Sequence, residues 1–561
     1  MEHFSEKRER ILFLLFVFIF IFLLLIYRLY NIQVVSGSVL HELARKEHIA
    51  SYAIDGKRGV VYDRNLKRLA VNVESKSLFA IPYKIEEPEE TARLLSSSLG
   101  LPYQEIEKQL IKERYFVWIA RKLSQEKYEE LKSLELDGLD FVTENRRYYP
   151  KDALAAHIIG FVGIDNQGLE GLELFFDNEL KSQPGLVVME RDASGAKIPL
   201  SIERIQPSKN GSSIALTIDE VVQYITEEAL NKAFLEYRPK SAVAIVVIPK
   251  TGEILSIAVK PSFNINKYQD ASEDCRRNRA ITDNFEPGST FKVFTIATAL
   301  ENGYARLSDH FNCKGWINYQ GTVIRDIDPH GYQDLTDIVK NSCNVGVIEV
   351  GTRIDKNIFA QSLQNFGFGE KTEIDLLGES PGLFRPVSQW SKISNASLSI
   401  GQEISVTPLQ LVMGVAALAN DGVLMKPQIV SRVLDEEDNI IKQYSPMVVR
   451  QVISSNTART MSRIMQEVVD DGTGTRAKLK HYSAAGKTGT SQKFDFNLGR
   501  YSNEKFTSWF AGFAPADNAE IAIVVMLDEP KGSYYGGTVA APVFQEIASK
   551  VLPYLSVPPN N

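Results

Sequence analysis

Between Ile11 and Tyr27 the chain carries no charged side chain and is almost wholly Leu, Phe, Ile and Val. No soluble surface helix tolerates such a run, so it constrains everything that follows. Its seventeen residues are the short limit for crossing a bilayer, and Leu29, Tyr30 and Ile32 can extend them. The run exceeds the usual apolar core of a secretory signal, and no alanine between Arg28 and Leu40 supplies a small-x-small cleavage site. An anchor that stays on the chain is expected. Lys7, Arg8 and Arg10 precede it, whereas Arg28 is the one Lys or Arg among the next fifteen residues. The positive-inside bias therefore predicts a single-pass protein of the cytoplasmic (inner) membrane. Residues 1–10 form a cytoplasmic tail, 11–30 the span, and the chain from about 31 onward lies outside.

The remainder has ordinary globular composition, and 561 residues suffice for roughly two to four domains. With 70 acidic and 63 basic residues the net charge is −7, which argues against a broad cationic face for nucleic acid. Cys275, Cys313 and Cys343 are too few and too scattered for a disulfide framework or a zinc knuckle, and are expected to be unlinked thiols. No His-Glu-x-x-His spacing occurs, and His41 and His48 fit a solvated helix face better than a metal. Neither a metal nor a cofactor is expected.

Residues 31–205 alternate short apolar stretches with charged helical ones, such as Glu86 to Leu99 and Ser124 to Leu134. Gln206 to Ser213 has the Pro, Ser, Asn and Gly content of a linker, which places a boundary there. Beyond it, Ala242–Ile248, the turn Pro249-Lys250-Thr251-Gly252, and Glu253–Val259 read as a hairpin. Phe506–Phe513 and Glu520–Leu527, around Pro515-Ala516-Asp517, read as another, followed by a helix over Ala541–Tyr554. The chain between the hairpins is expected to be mainly helical, with a well-signalled helix start at Thr407, Pro408 and Gln410. Strands at both ends with helices between predict an α/β (α+β) domain over 214–555 whose sheet joins distant parts of the chain. Residues 556–561 are a tail.

Serine becomes a nucleophile when a base takes its proton, and a lysine three residues later on a helix lies on the same face. Ser289-Thr290-Phe291-Lys292 has that spacing, but so do Ser124/Lys127, Ser194/Lys197 and Ser502/Lys505. Context separates them. Pro287-Gly288 precedes Ser289, and Phe291, Phe294, Ile296, Ala297 and Leu300 make the following helix apolar as far as Asn302-Gly303. A hydroxyl at that amino terminus would sit among unpaired N–H groups, and a lysine on a buried helix loses proton affinity. The alternative is an ordinary helix start. Ser124 and Ser502 lie in charged, solvated stretches, and Asp192 to Lys197 reads as a loop.

Ser342-Cys343-Asn344 follows a helical stretch from Asp334 to Lys340 and could relay protons and bind an amide, although Ser454-Ser455-Asn456 shares the pattern of an ordinary polar turn. Ala484-Ala485-Gly486-Lys487-Thr488-Gly489-Thr490 surrounds one lysine with small residues, as suits a strand edge to which an extended peptide adds. Lys250-Thr251-Gly252 repeats the triplet at a hairpin turn. A phosphate-binding loop is excluded because His481 stands where its first glycine belongs, and a Gly-x-Ser-x-Gly elbow because Pro287 and Phe291 flank Ser289.

Ser-x-x-Lys, Ser-x-Asn and Lys-Thr-Gly, in that order after one anchor, resemble the penicillin-binding serine transpeptidase and β-lactamase superfamily. Arg58 to Asn65, Arg147-Tyr148-Tyr149-Pro150, Ala156 to Gly163 and Gly168 to Glu173 resemble a class B pedestal domain. Arg279 to Asp283, Phe285 to Ser289 and Tyr534-Tyr535-Gly536-Gly537 resemble the division-specific septal member more than its elongation relative.

The resemblance implies an antiparallel sheet with helices on both faces, an elongated α+β pedestal (dimerisation-type) domain over 31–205, and a peptidoglycan D,D-transpeptidase inhibited by β-lactams. It further implies Ser289 as nucleophile, Lys292 as base, Ser342 and Lys487 as proton relay, and Asn344, Thr488, Gly489 and Thr490 as substrate-binding residues. The N–H groups of Ser289 and Thr490 would form the oxyanion hole. A stem pentapeptide would be the substrate. Partners would be a glycan polymerase of the shape, elongation, division and sporulation (SEDS) family and other divisome membrane proteins. No Glu between Asn344 and Lys487 is followed four places later by Asn, the pattern of class A β-lactamase deacylation. An elongation enzyme is the main alternative. A β-lactam sensor is disfavoured, since about ten residues precede the anchor.

Overall fold

The apolar run is helical in the computed structural model, over Glu2–Tyr30. Lys7–Val35 is, among the described residues, the one helix long and apolar enough to cross a membrane. Its Leu, Ile and Phe side chains are exposed around the whole circumference, a surface that lipid covers and water does not. The structure describes residues 2–40, 49–54, 56–111, 114, 116–191, 197–495 and 499–560; His41, His48 and Ser194 lie outside them.

The chain divides into two units, 1–57 with 182–210, and 58–181 with 211–561. The first holds the apolar helix and an antiparallel three-stranded sheet in the order Ile49–Ile54, Gly185–Arg191, Lys197–Gln206.

The second unit contains two large sheets. One takes strands from both sides of the 206–213 segment: Val61–Tyr62 pairs in parallel with Ser213–Leu216, which pairs with Val430–Leu434, while Arg68–Ala80 carries Val117–Leu123 and Leu139–Tyr148. Beside it the Arg58, Arg147 and Gly168-to-Glu173 stretches converge. Glu173 is fully buried and accepts from Arg58 Nε at 2.6 Å, Arg147 Nε at 2.6 Å and the Tyr149 hydroxyl at 3.3 Å.

The other sheet is antiparallel throughout, ordered Ile254–Lys260, Ser241–Val247, Ile521–Asp528, Arg500–Ala514, Ala485–Asp495. Its central strands read as continuous apolar runs because both faces are covered. Val243, Ile245 and Val247 face a core with Phe291, Phe294 and Leu411, whereas Ala242, Ala244 and Val246 face one with Leu230, Phe544 and Ile547. Helices therefore cover both faces, as expected. Pro408–Ala419 begins with the expected capping box, Gln410 N donating to Thr407 Oγ1 at 3.1 Å and Thr407 N to Gln410 Oε1 at 2.9 Å.

The expectation of a mainly helical middle is incomplete. Short strand pairs interrupt it, including Phe311–Cys313 with Gly331–Gln333 and Trp316–Tyr319 with Thr322–Arg325. Three or four residues are too few for an alternating pattern to register.

Candidate active site

The Pro-Gly pair before Ser289 leads into a 3-10 turn, Gly288–Phe291, which runs into the helix Lys292–Glu301. Gly288 has φ +53°, and an added Cβ would stand 3.2 Å from the Thr490 carbonyl oxygen. The turn thus lies directly against the Ala485–Asp495 strand. It is held there by Gly288 N donating to Gly401 O at 3.2 Å, and by Ser491 Oγ donating to Glu286 O at 2.7 Å.

One turn after Ser289, Lys292 is fully buried. Its ammonium nitrogen donates to the Ser342 carbonyl, to Asn344 Oδ1 at 2.7 Å and to Ser342 Oγ at 3.3 Å. Burial pushes its pKa down to about 8, with the Asp326 charge opposing the shift. A free amine is therefore accessible near neutrality, in the place where the sequence puts a base.

Ser342 reaches this amine through a helix ending. In Leu335–Lys340 the last carbonyls are closed by Ser342 N donating to Val339 O at 3.2 Å and Cys343 N to Ile338 O at 2.9 Å. This is the paired bonding of a Schellman ending, whose left-handed position is normally Gly. Here Ser342 holds it at φ +58°, a conformation that costs roughly 1–2 kcal/mol for a residue with a Cβ. The bend turns both its carbonyl and its hydroxyl toward Lys292. Asn344 opens the next helix, its N–H donating to Asp326 Oδ2 at 2.7 Å and its Nδ2 to Arg325 O at 3.2 Å.

Lys487 lies on the outermost strand of the five, whose far edge no strand pairs among the described residues. It too is fully buried, and burial plus repulsion from Lys292 hold its amine well below the usual lysine range. Its nitrogen donates to Thr488 O at 3.1 Å. Gly489 touches the Ser289 turn, since an added Cβ would stand 2.8 Å from both Pro287 O and Thr290 Cγ2. Thr490 Oγ1 accepts from Gly536 N at 3.1 Å. The turn, the Ser-Cys-Asn bend and the Lys-Thr-Gly strand, nearly two hundred residues apart in sequence at their extremes, meet around two buried amines.

The other occurrences among the described residues have structural occupations. Ser124 caps the helix Gln125–Lys132, Ser502 accepts from Glu504 N and Lys505 N, and Ser454 caps Ser455–Asp471. Lys250 pairs with Glu520 at 2.9 Å on a hairpin turn.

Two site neighbours were not anticipated. Thr473 and Thr488 share a hydroxyl hydrogen bond of 2.8 Å; the Gly472-Thr473-Gly474-Thr475 run was the available signal. Glu286 accepts from Tyr501 at 3.0 Å and Glu403 N at 3.1 Å, and burial pushes its carboxyl up to about 7. Nothing but adjacency to the motif marked it.

Two family profiles match: "Penicillin binding protein transpeptidase domain" over residues 242–549 and "Penicillin-binding Protein dimerisation domain" over 53–216. The chain is 37% identical to "Stage V sporulation protein D" of Bacillus subtilis, covering 98% of this chain and 86% of that protein. It is 33% identical to "Peptidoglycan D,D-transpeptidase FtsI" of Escherichia coli, covering 96% and 90%. Among solved structures, a peptidoglycan synthetase of Bifidobacterium adolescentis superposes with a TM-score of 0.74 at 26% identity, covering 91% and 98%. Penicillin binding protein 3 of Mycobacterium tuberculosis, complexed with aztreonam, superposes at 0.72 and 27%, with the same coverage.

Proposed function

Because the chain belongs to the class B penicillin-binding proteins, the serine D,D-transpeptidases of peptidoglycan, we propose that it cross-links stem peptides at the division septum with Ser289 as nucleophile. The observation that carries the assignment is the buried Lys292 amine, one turn from Ser289 and held by Ser342 and Asn344. In the proposed reaction Lys292 takes the Ser289 proton as Oγ attacks the penultimate D-alanine carbonyl. The oxyanion is met by the N–H groups of Ser289 and Thr490. Ser342 and Lys487 pass the proton to the nitrogen of the departing D-alanine, breaking the peptide bond. The amine of a neighbouring stem then attacks the ester, and Ser289 leaves with its proton restored. Asn344, Thr488 and Gly489 hold the extended donor peptide along the open strand edge.

In this reading the amino terminus is cytoplasmic, residues 31–205 form the pedestal, 214–555 the catalytic domain outside the membrane, and a SEDS-family polymerase is the partner. Ser289→Ala should abolish acylation by a fluorescent penicillin, whereas Ser124→Ala and Ser502→Ala should label normally. Labelling of the Ser289 variant at the wild-type rate overturns the assignment. A second reading, wall synthesis during sporulation, is favoured by the 37% identity to a stage V sporulation protein. Depletion separates the two: filaments support septation, round cells indicate elongation, and normal growth with failed spores indicates sporulation.

A further inference from the structure

The helix Ser455–Asp471 ends in Gly472-Thr473-Gly474, whose one side chain reaches the Lys-Thr-Gly strand. Both glycines permit close passage of the backbone. An added Cβ would stand 2.8 Å from Lys340 O at Gly472, and 3.1 Å from Val468 O at Gly474. Gly474 N donates to Val468 O at 2.9 Å, and Thr473 N to Lys340 O at 3.3 Å. On another side Gly537 packs against the loop, since a Cβ there would be 2.5 Å from Thr473 O. The loop is thus fixed to its own helix, to the helix end that leads into the Ser342 bend, and to the Tyr-Tyr-Gly-Gly segment. A β-branched side chain has few χ1 orientations on a fixed backbone. This one brings its hydroxyl to 2.8 Å from that of Thr488.

Thr488 is only 7% exposed, and its hydroxyl oxygen also accepts from Lys487 Nζ at 3.4 Å. Thr473 is exposed, and among the described residues its hydroxyl has no other protein partner. A hydroxyl has one proton and two lone pairs. When Thr473 and Lys487 both donate to Thr488, its lone pairs are filled and its own proton must point elsewhere.

We propose that Thr473 is a positioning residue for recognition of the donor's terminal carboxylate: its hydroxyl donates to Thr488 Oγ1 and so turns the Thr488 proton outward to the carboxylate. The proposal rests on the transpeptidase reading, in which the Lys-Thr-Gly strand meets the carboxyl end of an extended donor peptide. It adds a residue that belongs to none of the three motifs. A hydrogen bond to a carboxylate is stronger than one between neutral groups, so losing the outward proton penalises ligands that carry this charge and spares those that do not. Without the Thr473 hydroxyl one lone pair of Thr488 is left empty, and nothing directs its proton to the ligand.

The test compares the wild type with Thr473→Val, which keeps the shape without the hydroxyl, Thr473→Ser, which keeps the hydroxyl, and Thr473→Ala. The full chain in detergent is reacted with benzylpenicillin and, separately, with its methyl ester, and acyl-enzyme formation is followed by intact-protein mass spectrometry. Toward the free acid, Thr473→Val and Thr473→Ala should each acylate about 10-fold more slowly, and Thr473→Ser should recover most of the rate. Toward the ester, all four proteins should react within about twofold of one another. Wild-type rates toward the acid in the Val and Ala variants overturn the proposal. So does equal slowing toward acid and ester, which marks a distorted site, or a Ser variant as slow as Val. Should Thr473→Val fail to fold, the Ala and Ser variants decide by the same comparison. A wild type that penicillin does not acylate overturns the transpeptidase reading itself and this proposal with it, so the two failures are told apart.

Discussion

Gly489→Ala tests whether the Ser289 turn and the Lys-Thr-Gly strand must touch for the site to work. The added Cβ would stand 2.8 Å from Pro287 O and from Thr290 Cγ2, against 3.4 Å for the start of ordinary contact, so strand and turn must separate by about 0.6 Å. The strand has little room to retreat. Its inner edge is paired from Ala485↔Phe513 to Asp495↔Arg500, and Gly536 is packed so closely that a Cβ there would be 2.3 Å from Gly489 O. Overpacking of this kind costs about 1–3 kcal/mol. The displacement falls between the nucleophile and the proposed peptide-binding edge, where sites tolerate about 0.5 Å and 1 Å can cost roughly a hundredfold. Acylation by a fluorescent penicillin should slow by about 10- to 100-fold.

Gly486→Ala is the comparison. There the Cβ meets the Phe510 ring at 2.5 Å, in the core layer away from the turn. It should lose stability to a similar degree with a much smaller loss of acylation rate. The second-order labelling rate, measured beside thermal melting, distinguishes the two. Wild-type labelling by Gly489→Ala, or equal slowing of both variants at equal stability loss, would refute the argument that contact between turn and strand sets the geometry.

Two further outcomes follow from buried charge. With Lys292 titrating at about 8, its free-amine fraction rises from about 10% at pH 7 to about 90% at pH 9, so the labelling rate should climb roughly tenfold and then level. The folded value lies below that of free lysine, so this group's contribution to stability is full above the unfolded value and declines as pH falls toward 8. A flat rate profile over that interval would exclude Lys292 as the base. Glu173→Gln removes the one charge that faces both Arg58 Nε and Arg147 Nε, and should cost about 3–5 kcal/mol, read as a lowered unfolding midpoint. A loss below about 1 kcal/mol would show that Asp177, 2.6 Å from Arg58, suffices alone.

What was legible in the sequence was local. The Thr407/Gln410 capping box, the two apolar hairpins and the buried helix after Ser289 each follow from residues within a few positions of one another. The three motifs were readable as types, and their order identified the family resemblance. Convergence was not legible. Arg58, Arg147 and Glu173 belong to separate stretches whose meeting depends on the path of the whole chain. Asp326 looked like one acid among many, yet it caps the Asn344 helix and faces Lys292 through space. The setting of Cys313 and Cys343 was not legible for a similar reason, since their neighbours come from two short strand pairs and a helix cap rather than from spacing along one element.

The two buried lysines also set the direction of proton movement in the proposed reaction. Two ammonium groups cannot share this interior, because each is already desolvated and Lys292 further repels a charge on Lys487. A single proton on the pair resides on Lys292, where the Asp326 charge and the Ser342 and Asn344 oxygens face it. Lys487, whose amine burial and repulsion from Lys292 hold well below the usual range, gives up a proton more readily than an exposed lysine. In the proposed reaction Lys292 would therefore take the serine proton, and Lys487 would hand one to the leaving nitrogen. Ser342, held in a left-handed conformation that glycine would adopt more easily, brings to Lys292 a hydroxyl that glycine lacks.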